Sequence, residues 1–161
     1  MTVKYAKVAN AAGYRIYVKN VKTNYAWKPV KETTALTYKV TGLPAGYNTA
    51  VAVRAYDANK VLAPKYASVT KKTAPGTTSK VTITTSKNAA KLTWNKVTGA
   101  THYRVYIKKA GKWTALKTTN KNTFTKTGLK RRTTYTFAVR AYNSTDKLWA
   151  DKYVAKSAKT K

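Results

Sequence analysis

One alternating segment that occurs twice constrains the fold of this chain more than any other feature. Residues 134–142 have the sequence TYTFAVRAY, with an apolar residue at every second position from Tyr135 to Ala141. Side chains two residues apart lie on one face of a β-strand, so the segment predicts a strand with an apolar inner row. Residues 49–56, TAVAVRAY, repeat this pattern and its Arg-Ala-Tyr ending. The sequence therefore predicts two copies of one β-rich domain.

The duplication extends over most of both halves. Residues 13–19 align with residues 102–108 at a spacing of 89, and later blocks align at a spacing of 86. Internal similarity on this scale indicates repeated structural units. We assign residues 1–74 to a first domain and residues 75–161 to a second, because halves of this size suit β-sandwiches of about 100 residues.

The charge balance is the most unusual aspect of the composition. Thirty-three Lys and Arg residues face four acids, which gives a formal net charge of +29. The cations are dispersed along the predicted strands and turns, and such a surface attracts polyanions. Lysine is a hydrated point charge, whereas planar bidentate recognition favours arginine. The excess of lysine therefore favours general electrostatic adhesion over base-specific contacts.

Little in the chain suggests catalysis, and we predict no catalytic residue, no metal site and no cofactor. The chain has no cysteine, and its single histidine, His102, is expected in a loop before a strand. Four scattered acids do not favour a calcium cage or a glycosidase carboxylate pair. No apolar run of about 18 residues is present, so no membrane span is expected.

Two spaced patterns in the second half resemble a known family. Residues 92–105 follow Leu-x-Trp-x2-Val-x2-Ala-x2-Tyr-x-Val, and residues 128–141 follow Gly-Leu-x5-Tyr-x-Phe-x-Val-x-Ala. This resembles the fibronectin type III pattern, in which the Trp and first Tyr fill the core and the Leu and later Tyr pack the corner. The resemblance implies an all-β chain of two fibronectin type III-like (immunoglobulin-like) sandwiches in tandem.

The lysine-rich sequences of both copies are similar to those of tandem modules on Gram-positive bacterial surface proteins and secreted hydrolases. This similarity implies an extracellular or cell-surface location.

The first copy departs from the family pattern. Tyr5 replaces the core Trp, Thr49 occupies the corner position of Tyr135, and Tyr47 is the expected substitute there. Only two residues precede Val3, so the first strand of this domain is predicted to be missing. Either this is a boundary or a degenerate module, or a neighbouring chain supplies the strand, because an open sheet edge invites pairing.

Strand parity places a second row of side chains on the outer face of each domain. The predicted ligand-binding candidates are Arg15, Tyr17, Lys19, Arg54 and Tyr56 in the first domain and Arg104, Tyr106, Lys108, Arg140 and Tyr142 in the second. One interpretation is that these residues pack across strands and shield the sheet. The other is that Tyr rings stack on sugars while the cations hold phosphates or carboxylates.

Other candidates lie in turns and at strand edges. Lys130, Arg131 and Arg132 place three cations in one turn, where the first copy has residues 44–46, Pro-Ala-Gly. They are either a solvated turn or a second binding site. Three further tryptophans are expected at edges and turns, and exposure of any of them would favour carbohydrate contact. These are Trp27, Trp113 and Trp149.

We predict a non-catalytic adhesive or spacer module of a secreted or surface protein that binds anionic polysaccharide or cell-wall polymer. One alternative is a structural subunit that self-assembles into a fibre or oligomer by strand complementation at the first domain. A further alternative is a nonspecific nucleic-acid binder, whose affinity would fall with salt. An accessory module of a larger enzyme is also compatible with the sequence.

Overall fold

The computed structural model describes residues 1–161, which form two units, Met1–Thr73 and Ala74–Lys161. The boundary lies one residue before the predicted one. The regular elements of both units are β-strands, apart from one short 3₁₀ turn at Val21–Thr23 in the first unit. In each unit the alternating strands form two antiparallel sheets with apolar residues buried between them. The predicted all-β fold class is confirmed.

The first domain has six strands. They are β1 (Thr2–Lys4), β2 (Gly13–Lys19), β3 (Lys28–Thr33), β4 (Thr37–Lys39), β5 (Asn48–Tyr56) and β6 (Ala67–Lys72). One sheet has the order β3-β2-β5-β6, and the other contains only β1 and β4.

The second domain has eight strands. They are β7 (Thr82–Thr85), β8 (Ala90–Thr93), β9 (His102–Lys109), β10 (Lys112–Thr119), β11 (Thr123–Lys126), β12 (Thr134–Asn143), β13 (Leu148–Trp149) and β14 (Val154–Lys159). One sheet has the order β11-β8-β7, and the other joins β10, β9 and β12 with β13 and β14 both paired to β12. Of these, β13 is a two-residue strand that pairs with the end of β12.

The core of the second domain follows the alternation of β12. Phe137, Val139 and Ala141 are almost fully buried, and Trp94 packs edge-to-face against Tyr103 with ring centroids 5.4 Å apart. The Tyr103 hydroxyl accepts a hydrogen bond from the Val97 amide at 2.9 Å. The predicted core position of Trp94 is confirmed.

The first domain has a smaller core built on the same plan. Tyr5 takes the place of the tryptophan, half-buried, with its ring centroid 4.8 Å from that of Tyr14. The Tyr14 hydroxyl accepts a hydrogen bond from the Val8 amide at 2.9 Å, as Tyr103 does in the other domain. The predicted replacement of tryptophan by Tyr5 is therefore confirmed.

The corner of the sandwich is held differently in the two domains. In the second domain, the Tyr135 hydroxyl accepts a hydrogen bond from the Lys130 amide at 2.9 Å. Tyr47 does not take over this role in the first domain, because its side chain is 39% exposed. The Thr73 hydroxyl instead donates to the Pro44 carbonyl, as the Thr160 hydroxyl donates to that of Lys130.

The two domains differ most at their first strand. In the second domain, β7 pairs with β8, so that Thr82 faces Thr93 and Thr85 faces Ala90. In the first domain, β1 pairs only with β4, and no strand lies on its other edge. Residues 1–73 thus contain no counterpart of β7.

Candidate functional site

The outer face of the larger sheet carries a cation pair at the same place in each domain. Arg15 faces Arg54 across β2 and β5, and Arg104 faces Arg140 across β9 and β12. All four side chains are half-buried on the face opposite the core. Their neighbours decide which of them is available to a ligand.

In the first domain, residues from four segments enclose a pocket of about 120 Å³. Its floor is Ala52, and its walls are Tyr17, Trp27, Arg54 and Tyr66. Trp27 and Tyr66 meet edge-to-face at a centroid distance of 6.3 Å and an interplanar angle of 74°. The Lys19 ammonium lies 5.8 Å from the centroid of the Trp27 ring.

The second domain has a pocket of about 70 Å³ with the same residue types in the same places. Its floor is Ala138, and its walls are Tyr106, Trp113, Arg140 and Tyr153. Trp113 and Tyr153 meet edge-to-face at 5.9 Å and 85°. Lys108 lies 6.0 Å from the centroid of the Trp113 ring, as Lys19 does from that of Trp27 in the first domain.

We call these two sites the aromatic pockets. Each floor alanine is on the outer face of its strand, yet Ala52 is 3% and Ala138 1% exposed, because the aromatic walls cover them. The side chains of the pocket walls therefore shield this part of the sheet from solvent, as one of the two interpretations of the outer face expects. The walls themselves remain open, since Tyr66 is 55%, Tyr153 45% and Trp27 36% exposed. No acidic residue lines either pocket.

The pocket arginines are held from one side. The Arg54 Nε donates to the Ala63 carbonyl, and the Arg140 Nε donates to the Ala150 carbonyl at 2.8 Å. These bonds fix each guanidinium through its inner nitrogen, so the plane of the group is oriented at the pocket wall. A fixed guanidinium suits recognition of a carboxylate, sulfate or phosphate.

Arg15 lies outside the pocket and has a structural partner. Its guanidinium bonds the Glu32 carboxylate at 2.6 Å, and Lys60 bonds the other oxygen at 2.9 Å. Hydrogen bonds from Lys60 and Arg15 lower the pKa of Glu32, and the same carboxylate raises the pKa values of both cations. This candidate is therefore occupied within the domain.

Arg104 and Tyr142 belong to a separate cluster around Trp149. The Tyr142 and Trp149 rings stack with centroids 4.1 Å apart, and the Arg104 guanidinium lies 4.9 Å from the Trp149 centroid. Arg140 reaches the same ring at 5.5 Å and so joins this cluster to the aromatic pocket. The Arg104 Nε donates to the Thr118 hydroxyl at 3.1 Å.

Tyr56 lies opposite Gly13 on the outer face of the sheet, but contrary to the prediction it is only 7% exposed. Its ring covers Gly13, where a Cβ atom would lie 2.3 Å from the Tyr56 hydroxyl, and the Lys60 ammonium sits 4.1 Å from the ring centroid. The second domain has His102 in place of the glycine, and the matching Tyr142 stacks on Trp149 instead. His102 itself begins β9 and is half-buried, so its predicted position in the preceding loop is wrong.

The basic turn Lys130, Arg131 and Arg132 is exposed and separate from the pocket. It precedes β12, which begins at Thr134, four residues and about 13 Å of strand before Ala138. The structure contains no group of three or more side chains that could hold a metal ion, and none of its elements is a helix long and apolar enough to cross a membrane.

Tyr66 and Tyr153 were not among the predicted site residues, although each forms a wall of its pocket. Both follow a lysine, and Lys65-Tyr66 and Lys152-Tyr153 recur at a spacing of 87. The recurrence was the available signal, but neither pair lies in the well-aligned strand blocks. Their role depends on how the chain returns to the sheet before β6 and β14.

The architecture of the second unit agrees with its sequence. Residues 73–152 match the model of the fibronectin type III domain. This unit is a fibronectin type III domain. Together with the first unit, it makes the chain a tandem of fibronectin type III-like sandwiches. A comparison with curated protein sequences gave no match.

Solved structures agree with the tandem fold. A two-domain fibronectin type III segment of chicken tenascin is 15% identical, covers 99% of this chain and 91% of its own, and has a TM-score of 0.55. The single domain FN3tt is 26% identical over 55% of this chain and 96% of its own, with a TM-score of 0.50. Its mutant is 24% identical over 54% and 97%, also with a TM-score of 0.50.

Fibronectin type III domains are typically non-catalytic and are common in extracellular proteins. The family therefore supports a generic adhesive or spacer role for this chain.

Proposed function

We propose that this chain is an adhesive module of a secreted or surface protein, and that its aromatic pockets bind sugar units of an anionic polysaccharide such as a cell-wall polymer. The observation that carries this proposal is the recurrence of one pocket in both domains. The Tyr, Trp, Ala, Arg, Tyr set and the adjacent Lys are the same in each. The corner packing and first strand, by contrast, differ between the domains.

The chemistry of the pocket matches a charged sugar. Aromatic rings such as those of Tyr66 and Trp27 offer an apolar surface with a polar tip, which suits the mixed faces of a sugar ring. Arg54 and Lys19 lie beside these rings and supply positive charge for a carboxylate or phosphate. The net charge of +29 would attract the polymer over longer distances.

The test compares two polyanions, of which only one is built of sugar rings. We would measure binding of the full chain to polygalacturonate and to polyacrylate of matched charge, at several salt concentrations. A variant carrying both Tyr66→Ala and Tyr153→Ala removes one wall from each pocket and no buried group. Tyr25→Ala is the matched control, because Tyr25 is 58% exposed and lines neither pocket.

We expect the double variant to lose about tenfold in affinity for polygalacturonate, which corresponds to about 1.4 kcal/mol, and to keep its affinity for polyacrylate. The Tyr25 variant should bind both polymers as the unchanged chain does. Equal binding of both polymers by the double variant and the unchanged chain would overturn the proposal. If single-stranded DNA displaces polygalacturonate and depends equally on the two tyrosines, base stacking is the better account.

A further inference from the structure

The two domains differ in the residue that faces the arginine outside the aromatic pocket. In the first domain, Arg15 on β2 lies opposite Glu32 on β3. The Glu32 Oε1 atom accepts a hydrogen bond from the Arg15 Nε at 2.8 Å and lies 2.6 Å from its Nη2. The other oxygen, Oε2, accepts a bond from the Lys60 ammonium at 2.9 Å. One carboxylate thus joins two cations at this position.

In the second domain, the same position has no carboxylate. Arg104 on β9 lies opposite Thr118 on β10, and the Arg104 Nε donates to the Thr118 hydroxyl at 3.1 Å. The hydroxyl therefore replaces Oε1 of Glu32 as the acceptor for Nε, but it offers no second oxygen and no negative charge. Arg104 is half-buried and not enclosed, so the N–H groups on its terminal nitrogens remain available to a ligand.

The second cation of the Glu32 site also has a counterpart. Lys60 and Lys147 each stand immediately before the residue at which the chain pairs back onto its sheet. Both have left-handed backbone conformations, with φ of 63° and 55°. Lys147 is exposed. The second domain thus keeps both cations of this site and lacks only the acid.

Trp149 gives the second domain an aromatic wall at this site. Its ring centroid lies 4.9 Å from the Arg104 guanidinium and 5.5 Å from that of Arg140, whereas Leu62 occupies the matching place in the first domain. A ring beside a guanidinium stabilises the positive charge but supplies no oxygen to accept its N–H groups. Because Arg140 is also a wall of the aromatic pocket, the site and the pocket are adjacent.

We propose that the second domain binds a ligand carboxylate at Arg104 and Lys147, in the place that the Glu32 carboxylate takes in the first domain. This inference rests on the proposed function in taking the carboxylate from a uronate unit of the polymer, because the site adjoins the aromatic pocket through Arg140. A carboxylate at the edge of the guanidinium makes short, charge-assisted hydrogen bonds. The first domain therefore offers its pocket alone, and the second offers a pocket with an adjacent carboxylate site.

Exchanging one residue between the domains tests this proposal. The full chain is titrated with oligogalacturonate while NMR follows the Nε–H signal of each arginine, and the affinity is obtained from the same titration. Thr118→Glu gives the second domain the acid of the first, and Glu32→Thr removes that acid from the first. Thr125→Glu is the matched control, because it adds the same charge at an exposed threonine of the other sheet.

We expect the Arg104 signal of the unaltered chain to shift with saturation and the Arg15 signal to stay unchanged. Thr118→Glu should abolish the Arg104 shift and bind about threefold more weakly than Thr125→Glu, as expected for loss of a partly exposed ion pair. Glu32→Thr should make the Arg15 signal respond to the ligand. An Arg104 signal that does not shift, or equal affinities of the Thr118→Glu and Thr125→Glu chains, would overturn the proposal.

The outcomes separate this proposal from that of the aromatic pockets. A shift of the Arg140 signal without one at Arg104 keeps the pocket and rejects the carboxylate site. If the variant with Tyr66→Ala and Tyr153→Ala binds like the unaltered chain, the pockets fail, yet a saturable Arg104 shift still supports the carboxylate site. Poly-L-glutamate that binds more tightly than polygalacturonate, with the same dependence on Thr118, would overturn the assignment to a sugar and identify an acidic peptide instead.

Discussion

Truncation of Trp94 measures how far the second domain depends on its central aromatic residue. Trp94 is 5% exposed and packs against Tyr103, and loss of a buried Trp to Ala costs about 3–5 kcal/mol in other cores. Its indole Nε1, however, is buried without a hydrogen-bond partner, and such a donor costs about 1–3 kcal/mol. Removing the donor recovers part of the loss, so we expect Trp94→Ala to destabilise this domain by about 3 kcal/mol.

Trp94→Phe separates the two contributions, because it removes the unpaired donor but keeps an aromatic ring against Tyr103. We expect it to cost about 1 kcal/mol or less, since the smaller ring leaves a cavity while the penalty of the buried donor disappears.

The assay is native-state hydrogen exchange at the amides of Val105 and Val139, because two domains need not unfold as one unit. Trp27→Ala is the control, since it removes a tryptophan from the other domain and should leave this exchange unchanged. A loss below about 1 kcal/mol for Trp94→Ala would refute the core assignment. A Trp94→Phe variant as unstable as Trp94→Ala would refute the account of the unpaired donor.

Two further predictions concern the corner and the ion pairs. Thr160 is buried, and its hydroxyl donates to the Lys130 carbonyl and accepts from the Thr133 amide. Thr160→Val should destabilise the second domain by about 1–3 kcal/mol, because it removes two hydrogen bonds worth about 0.5–1.5 kcal/mol each. A denaturant midpoint equal to that of the unaltered chain would contradict this. Glu32 has a lowered pKa when folded, so its stabilising effect is present above its unfolded pKa of about 4.3 and is lost as pH falls through the folded value. In the Glu32→Gln variant, the free energy of unfolding of the first domain should therefore vary less with pH below about 4 than in the unaltered chain. The same pH dependence in both proteins would exclude the ion pairs as its cause.

Several parts of the fold follow directly from the order of residues. The alternation in β12 predicted that Phe137 and Val139 are buried, because side-chain direction in a strand reverses at every residue. The same rule placed Arg54 and Arg140 on the outer face. The duplication predicted two similar domains.

Register and turn geometry decided the rest of the candidate site. The pairing of β2 with β3 shifts between Ile16 and Tyr17, and that of β10 with β9 shifts between Ala115 and Lys117. Positions across the strands therefore do not follow from counting along the sequence. The Tyr56 ring is buried on the outer face because Gly13, on the neighbouring strand, leaves space for it, a cross-strand contact that alternation alone does not reveal.

The sequence by itself thus determined which side chains each strand presents to each face, since that depends on a local period of two residues. Only the tertiary structure decided which of them meet. The aromatic pockets join Trp27 to Tyr66 and Trp113 to Tyr153 from segments about 40 residues apart. These side-chain contacts depend on which strands pair and on where the chain comes back to the sheet. Both are set by packing over the whole domain and not by neighbours in sequence.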